Sequence, residues 1–212
     1  MKHVKNLKIV ITAGASGIGS EIAMILSQAD AKVIICDKDQ EVLDQFSKNN
    51  PEIITLKADV SREEEVASFF NEIKDHFGEI NALINNAGIA GPSAKLEDTN
   101  FNDWKNTLSV NLNGTFLSTK SAIPLLRSAG GGSIINIGST SSFMGSPLRS
   151  SYSATKWGLI GLTKTWAMEY GEDNIRINTI CPSSVNGERI DQVIDREQSI
   201  EMLHRKKLRP FI

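Results

Sequence analysis

The chain has 212 residues, 40% hydrophobic and 23% charged, enough to bury a sizeable core in one domain spanning 1–212. Lys and Arg number 23 against 25 Asp and Glu, a net charge of -2, which leaves no polyanion footprint and argues against a nucleic-acid partner. No run is long and apolar enough to cross a membrane, and MKHVKNLKIVIT lacks the pattern of a cleaved leader, so the expectation is a soluble protein with no membrane partner.

Short β-branched runs alternate with longer amphipathic ones. In chain order, 7–12 (LKIVIT) reads as a strand, 17–29 as a helix, 32–36 (KVIIC) as a strand and 39–49 as a helix. Next come strand 53–57 (IITLK), helix 61–77, strand 80–85, helix 102–129, strand 133–137, helix 153–170 and strand 175–181. Ser61 with Glu64 three residues on predicts a capped helix start, and Pro124 predicts a kink or break in the fourth helix. Several strands are apolar on both faces, as strands covered by helices on two sides must be. Strict alternation predicts an α/β fold: a doubly wound parallel sheet in a single Rossmann-like domain. Its core occupies 7–185, followed by a helical and terminal segment at 186–212 that would cover substrate.

Cys36 and Cys181 form no CxxC pair, and His3, His76 and His204 show no ligand spacing. Neither a disulfide nor a metal is expected, and a reducing, cytoplasmic setting is. The basic run His204-Arg205-Lys206-Lys207 is short and suits a solvated helix end.

The first strand runs into Thr12-Ala13-Gly14-Ala15-Ser16-Gly17-Ile18-Gly19 and then a helix. Glycines let a backbone turn tightly and approach a pyrophosphate, while the helix start offers free N–H groups. The spacing is GxxGxG and departs from the common GxGxxG, and a plain tight turn is an open alternative. Asp37 lies at the end of the second strand, where a carboxylate can accept both ribose hydroxyls of NAD and repel a 2′-phosphate. It favours NAD over NADP, although Lys38 stands beside it and Asp37 could instead cap the next helix. Asn85-Asn86-Ala87-Gly88, ending the fourth strand, suits either a ligand crevice or a turn.

Tyr152 and Lys156 are four apart and share a helix face. A free phenol ionises near pH 10, too high for a base at neutrality, and a neighbouring ammonium favours its charged form. Such a pair can act as an acid/base, or can be an exposed surface pair. Ser139, closing the fifth strand, could hold a substrate oxygen.

Taken together and in this order on a β-α frame, Thr12 to Gly19, Asp37, Asp59, Asn86-Ala87-Gly88, Asn111, Ser139, Tyr152 and Lys156 resemble the short-chain dehydrogenase/reductase family over 7 to about 185. The resemblance implies an oxidoreductase that moves a hydride between a nicotinamide cofactor and a secondary alcohol or its ketone. It makes Tyr152 the proton donor or acceptor, Lys156 its activator and a ribose ligand, Ser139 the group orienting the substrate oxygen, and Asn111 the holder of a relay water. It places Gly14, Ser16, Gly17, Ile18, Gly19 and Asp37 around the cofactor, Asp59 and Val60 at its adenine, and Asn86, Ala87 and Gly88 beneath it. Pro182 falls beside the cofactor and Val185 at its carboxamide. Pairing of the helices carrying Asn111 and Tyr152 implies a homodimer or homotetramer.

Three features depart from the family pattern. Ala13 replaces a glycine, costing about 1–2 kcal/mol if its φ is positive. Pro182-Ser183 replaces Pro-Gly, which predicts a different loop path. The chain stops at Leu208-Arg209-Pro210-Phe211-Ile212, near where a further helix and seventh strand would follow. The last strand would then be an open edge, and a truncated, non-catalytic dinucleotide-binding or scaffold protein is the alternative expectation. Specificity would lie in the loop after Gly88, in 140–151 and in 186–196. Phe143, Met144 and Leu148 suggest a partly apolar pocket, while Arg149 and Arg189 could receive an acidic group or stand at the surface.

Overall fold

A computed structural model describes residues 4–185. Six parallel strands form one sheet: β1 (Lys8–Thr12), β2 (Lys32–Asp37), β3 (Ile54–Lys57), β4 (Ala82–Asn85), β5 (Gly132–Ile137) and β6 (Ile175–Ile180). Their order is β3-β2-β1-β4-β5-β6, the doubly wound arrangement expected from the alternation. The helices are α1 (Gly17–Gln28), α2 (Gln40–Asn49), α3 (Glu63–Phe77), α4 (Phe101–Leu108), α5 (Gly114–Ser128) and α6 (Ser150–Glu169). Among the described residues β6 is an edge strand, with Arg176, Asn178 and Ile180 exposed.

Alternate residues of each strand serve opposite faces, as a two-residue period requires. Ile9, Ile11, Val33, Ile35 and Ile84 pack with Ala23 of α1 and Leu43 and Phe46 of α2. Val10, Ile34, Leu83, Ile134 and Ile177 pack with Phe69, Phe70 and Ile73 of α3, Leu126 of α5 and Trp166 of α6. Burial of both faces explains why these strands read as continuous apolar runs.

Three local expectations need correction. Helix α5 runs unbroken through Pro124. Pro124 and Lys120, whose carbonyl loses its donor there, both lie on the exposed side, where water can serve that carbonyl. The irregularity sits upstream instead, in a π-helical turn at Ser109–Asn113 between α4 and α5. At α3 the N-cap is Arg62 and makes no side-chain capping bond, because Ser61 Oγ donates to Asp59 Oδ1 at 2.7 Å. Finally, α6 begins at Ser150, so Tyr152 lies inside its first turn.

Candidate active site

The strand order reverses between β1 and β4, and the turns leaving these two strands are fastened together. Thr12 Oγ1 accepts the N–H groups of Asn86 and Ala87, each at 3.1 Å. Asn86 Nδ2 donates to the carbonyls of Thr12 at 3.2 Å and Ala13 at 2.8 Å. Ligands of open α/β sheets bind at such a reversal, outside the carboxyl ends of the strands.

The glycine turn has little room on the protein side and much on the other. A Cβ on Gly14 would lie 2.6 Å from Ile35 Cβ, and one on Gly19 would lie 2.6 Å from Asn86 Nδ2. Gly17 adopts φ +53, and a Cβ there would meet nothing within 4 Å. Ala13 also has a positive φ, 50°, so it carries the strain foreseen for a non-glycine residue. Ser16 is the N-cap of α1 and makes no side-chain capping bond, so its hydroxyl does not satisfy the first-turn N–H groups. A backbone cradle with an open front at a helix start fits the pyrophosphate of a dinucleotide.

Asp37 ends β2, and its Oδ1 accepts the N–H of Asp39 at 3.3 Å. The cap of α2 is Asp39, which accepts from Glu41 and Val42, so capping does not account for Asp37. Asp59 accepts the N–H of Ser61 at 2.9 Å, and its own N–H donates to Glu65 Oε2 at 2.9 Å. Val60 is buried against Gly114 at the start of α5.

On the other side of Gly88 stand the residues of α6. Tyr152 and Lys156 are both buried, at 8% and 4% exposure, which removes the reading of a surface pair. Lys156 Nζ donates to the Ile137 carbonyl at 2.7 Å and lies 5.6 Å from the centroid of the Tyr152 ring. A Cβ on Gly88 would be 3.8 Å from Lys156 Nζ and 3.3 Å from Asn111 Oδ1, so the fourth-strand turn, Lys156 and Asn111 converge. Asn111 sits in the π-helical turn, accepts from Ile89 N–H at 2.7 Å, and donates to Ile89 O at 3.0 Å and Thr155 Oγ1 at 3.2 Å. Ser139 caps the short turn Thr140–Ser142, with its Oγ accepting from Ser141 N–H at 3.2 Å, and α6 packs against that turn.

With this geometry in view, comparison with known proteins decides the family. Residues 7–198 match the family model described as short chain dehydrogenase. The chain belongs to this family. Among its relatives, the "Uncharacterized oxidoreductase YxbG" of Bacillus subtilis (strain 168) is 38% identical over 197 residues, which covers 91% of this chain and 72% of that protein. The crystal structure of levodione reductase superposes with a TM-score of 0.87 at 31% identity, covering 92% of this chain and 78% of that one. The structure of NAD+-bound xylitol dehydrogenase superposes at 0.83 with 27% identity, covering 88% and 73%. This short-chain dehydrogenase is therefore an oxidoreductase of the alcohol–ketone type.

Of the remaining site candidates, Pro182 accepts the N–H of Thr140 at 3.0 Å, tying the strand-six loop to the turn after Ser139. Val185 is exposed. Arg189, the segment 186–212 and the histidines at 3 and 204 lie outside the described residues. Ile89, Ile137 and Thr155 support the site although no role was foreseen for them: Ile89 and Ile137 act through backbone groups that leave no mark in the sequence, and Thr155 through the hydroxyl that accepts from Asn111. Among the described residues no cluster of His, Cys, Asp and Glu could hold a metal, and no helix is long and apolar enough to cross a membrane.

Proposed function

We propose that this short-chain dehydrogenase oxidises secondary alcohols, or reduces the matching ketones, with NAD, and that Tyr152 is its acid/base. The observation that carries the reading is the burial of Tyr152 beside Lys156, whose ammonium is held by Ile137 O next to Gly88. A phenol placed there meets a substrate at the crevice edge with a cation at hand to stabilise negative charge on its oxygen.

A bound nicotinamide supplies the hydride acceptor in oxidation and the donor in reduction. In oxidation the substrate hydroxyl gives its proton to the Tyr152 phenolate as the C–H bond breaks, leaving a ketone; reduction reverses both transfers. Ser139 holds the substrate oxygen, since its Oγ accepts from Ser141 and its own hydrogen can donate outward. Lys156 stabilises the phenolate and donates to the ribose. Asn111 sets the path of the Gly88–Ile89 backbone beside Lys156 and supports a relay water there. Gly14, Ser16, Gly17, Ile18 and Gly19 receive the pyrophosphate, Asp37 the adenosine ribose, Asp59 and Val60 the adenine, Asn86 to Gly88 the underside and Val185 the carboxamide, with Pro182 beside the cofactor. The carboxylate of Asp37 favours NAD over NADP.

The same reading gives one catalytic domain over 1–212, working in the reducing cytoplasm, where Cys36 and Cys181 stay free thiols. It also gives a homodimer or homotetramer, supported by the exposed Phe116 of α5 and Trp157 and Met168 of α6. A monomer mass by light scattering would remove the oligomer. The functional reading is tested by titrating the protein with NADH and NADPH and then offering a panel of secondary alcohols. Tight NADH binding with turnover of at least one alcohol supports it; tight binding without any turnover favours the non-catalytic scaffold.

A further inference from the structure

Tyr152, Thr155 and Lys156 fall on one face of α6, all of them buried. The Thr155 hydroxyl both donates and accepts: it donates to the Tyr152 carbonyl at 2.7 Å and accepts from Asn111 Nδ2 at 3.2 Å. A threonine hydroxyl on a carbonyl of the preceding turn is common in helices and by itself calls for no function. The bond from Asn111 is different, because it crosses from the π-helical turn to α6 between residues 44 positions apart.

Asn111 has one usable orientation. Its Oδ1 accepts the Ile89 N–H at 2.7 Å and its Nδ2 donates to the Ile89 carbonyl at 3.0 Å, so turning the amide over would set donor against donor and acceptor against acceptor. The second Nδ2 hydrogen goes to Thr155. The Ile89 backbone, the Asn111 amide, the Thr155 hydroxyl and the Tyr152 carbonyl therefore form one chain of bonds. One end is the turn after β4, which would underlie the cofactor, and the other is the first turn of α6, which carries the phenol. We propose that Thr155 is a positioning residue, whose hydroxyl holds the Gly88–Ile89 backbone and the first turn of α6 at the separation that hydride and proton transfer require. The inference rests on the reading of Tyr152 as the acid/base and adds a residue that acts through Asn111 without touching substrate. Misplacing reacting groups by about 1 Å costs about a hundredfold in rate, so loss of this buried link should register in kcat.

Thr155→Val keeps the shape and removes the hydroxyl, whereas Thr155→Ser keeps the hydroxyl and removes a methyl. With NAD and the best-used secondary alcohol, Thr155→Val should lose about tenfold or more in kcat, while KM for the alcohol and NADH affinity stay within about threefold. Thr155→Ser should keep kcat within about threefold of wild type. A wild-type kcat in Thr155→Val, a loss carried by KM alone, or equal losses in the two variants would overturn the proposal and leave Thr155 a packing residue. If Thr155→Val does not fold, Thr155→Ala set against Thr155→Ser makes the same comparison, since those two differ by the hydroxyl alone. Hydrogen exchange at the Ile89 N–H, followed by NMR without substrate, reads the link without turnover. It should run about tenfold faster or more in Thr155→Val than in wild type, with Val10 and Ile11 of β1 unchanged and Thr155→Ser close to wild type. That result supports the proposal even in a protein that turns over no alcohol, which would sink the dehydrogenase reading alone. Unchanged exchange at Ile89, or equal acceleration at Val10 and Ile11, overturns it even in an active one.

Discussion

The carbonyl of Ala13 accepts a hydrogen bond from Asn86 Nδ2 at 2.8 Å while Ala13 itself is held at φ 50. This one bond joins the turn after β1 to the turn after β4 and fixes the strained residue of the glycine loop. Ala13→Gly should therefore release strain without loosening the turn. After the greater entropy of glycine in the unfolded chain is deducted, a gain of about 0.5–1 kcal/mol is expected by denaturant unfolding. NADH affinity should hold or improve. Asn86→Ala should instead weaken NADH binding, because two carbonyls lose their shared donor. A destabilised Ala13→Gly protein would mean that the alanine methyl makes a contact that outweighs the strain.

One row of polar groups, buried at Asn85, Asn136 and Thr163, crosses the sheet. Asn85, Asn136 and Thr179 are register partners on β4, β5 and β6. Asn85 Nδ2 donates to Thr119 Oγ1 at 3.0 Å and to Asn136 Oδ1 at 2.8 Å, Asn136 Nδ2 donates to Thr163 Oγ1 at 2.9 Å, and Thr163 pairs with Thr179 at 2.7 Å. Asn136 is fully buried, so Asn136→Ala would leave a donor on Asn85 and an acceptor on Thr163 unmatched where water does not reach. The expected loss is about 2–4 kcal/mol in denaturant unfolding. A loss below about 1 kcal/mol would show that the row carries little of the stability.

Cys36 sits on the same β2 end as Asp37, and burial pushes its thiol from an ordinary 9.0 up to about 12. Between those values the unfolded chain holds fewer protons than the folded one, so stability falls as pH rises. Below pH 9.0 the contribution is fully present, and it is lost as pH climbs towards 12. The denaturant midpoint should decline above pH 9.0, and Cys36→Ala should decline less steeply. Identical slopes for the two proteins would assign the alkaline loss to other groups. At neutral pH a thiol reagent should label the half-buried Cys181 well before Cys36.

What could be read from the sequence follows from which interactions are local. β1 and β2 announced themselves as continuous apolar runs, because both of their faces are buried, whereas β6 leaves Arg176, Asn178 and Ile180 exposed. The glycine turn, Asp37 and the Tyr152–Lys156 pair were legible because their chemistry depends on short, fixed spacings. The π-helical turn at Asn111 was not, and Pro124 drew attention away from it: the distortion accompanies bonds to Ile89, 22 positions earlier. The Asn85–Asn136–Thr163 row was equally hidden, since it exists only once three strands are in register. Arg149 had been as compatible with the surface as with the site, and only its stacking on Tyr152 separates the two.

The central claim is that Tyr152 performs acid/base chemistry beside a dinucleotide, and Tyr152→Phe tests it most directly. The substitution removes one oxygen from a buried ring and leaves the packing of α6 in place. NADH titration and alcohol-dependent reduction of NAD should be measured on the same preparation. NADH affinity should stay within about threefold of wild type while kcat falls by about a hundredfold or more. Turnover retained at the wild-type level with cofactor binding intact would contradict it.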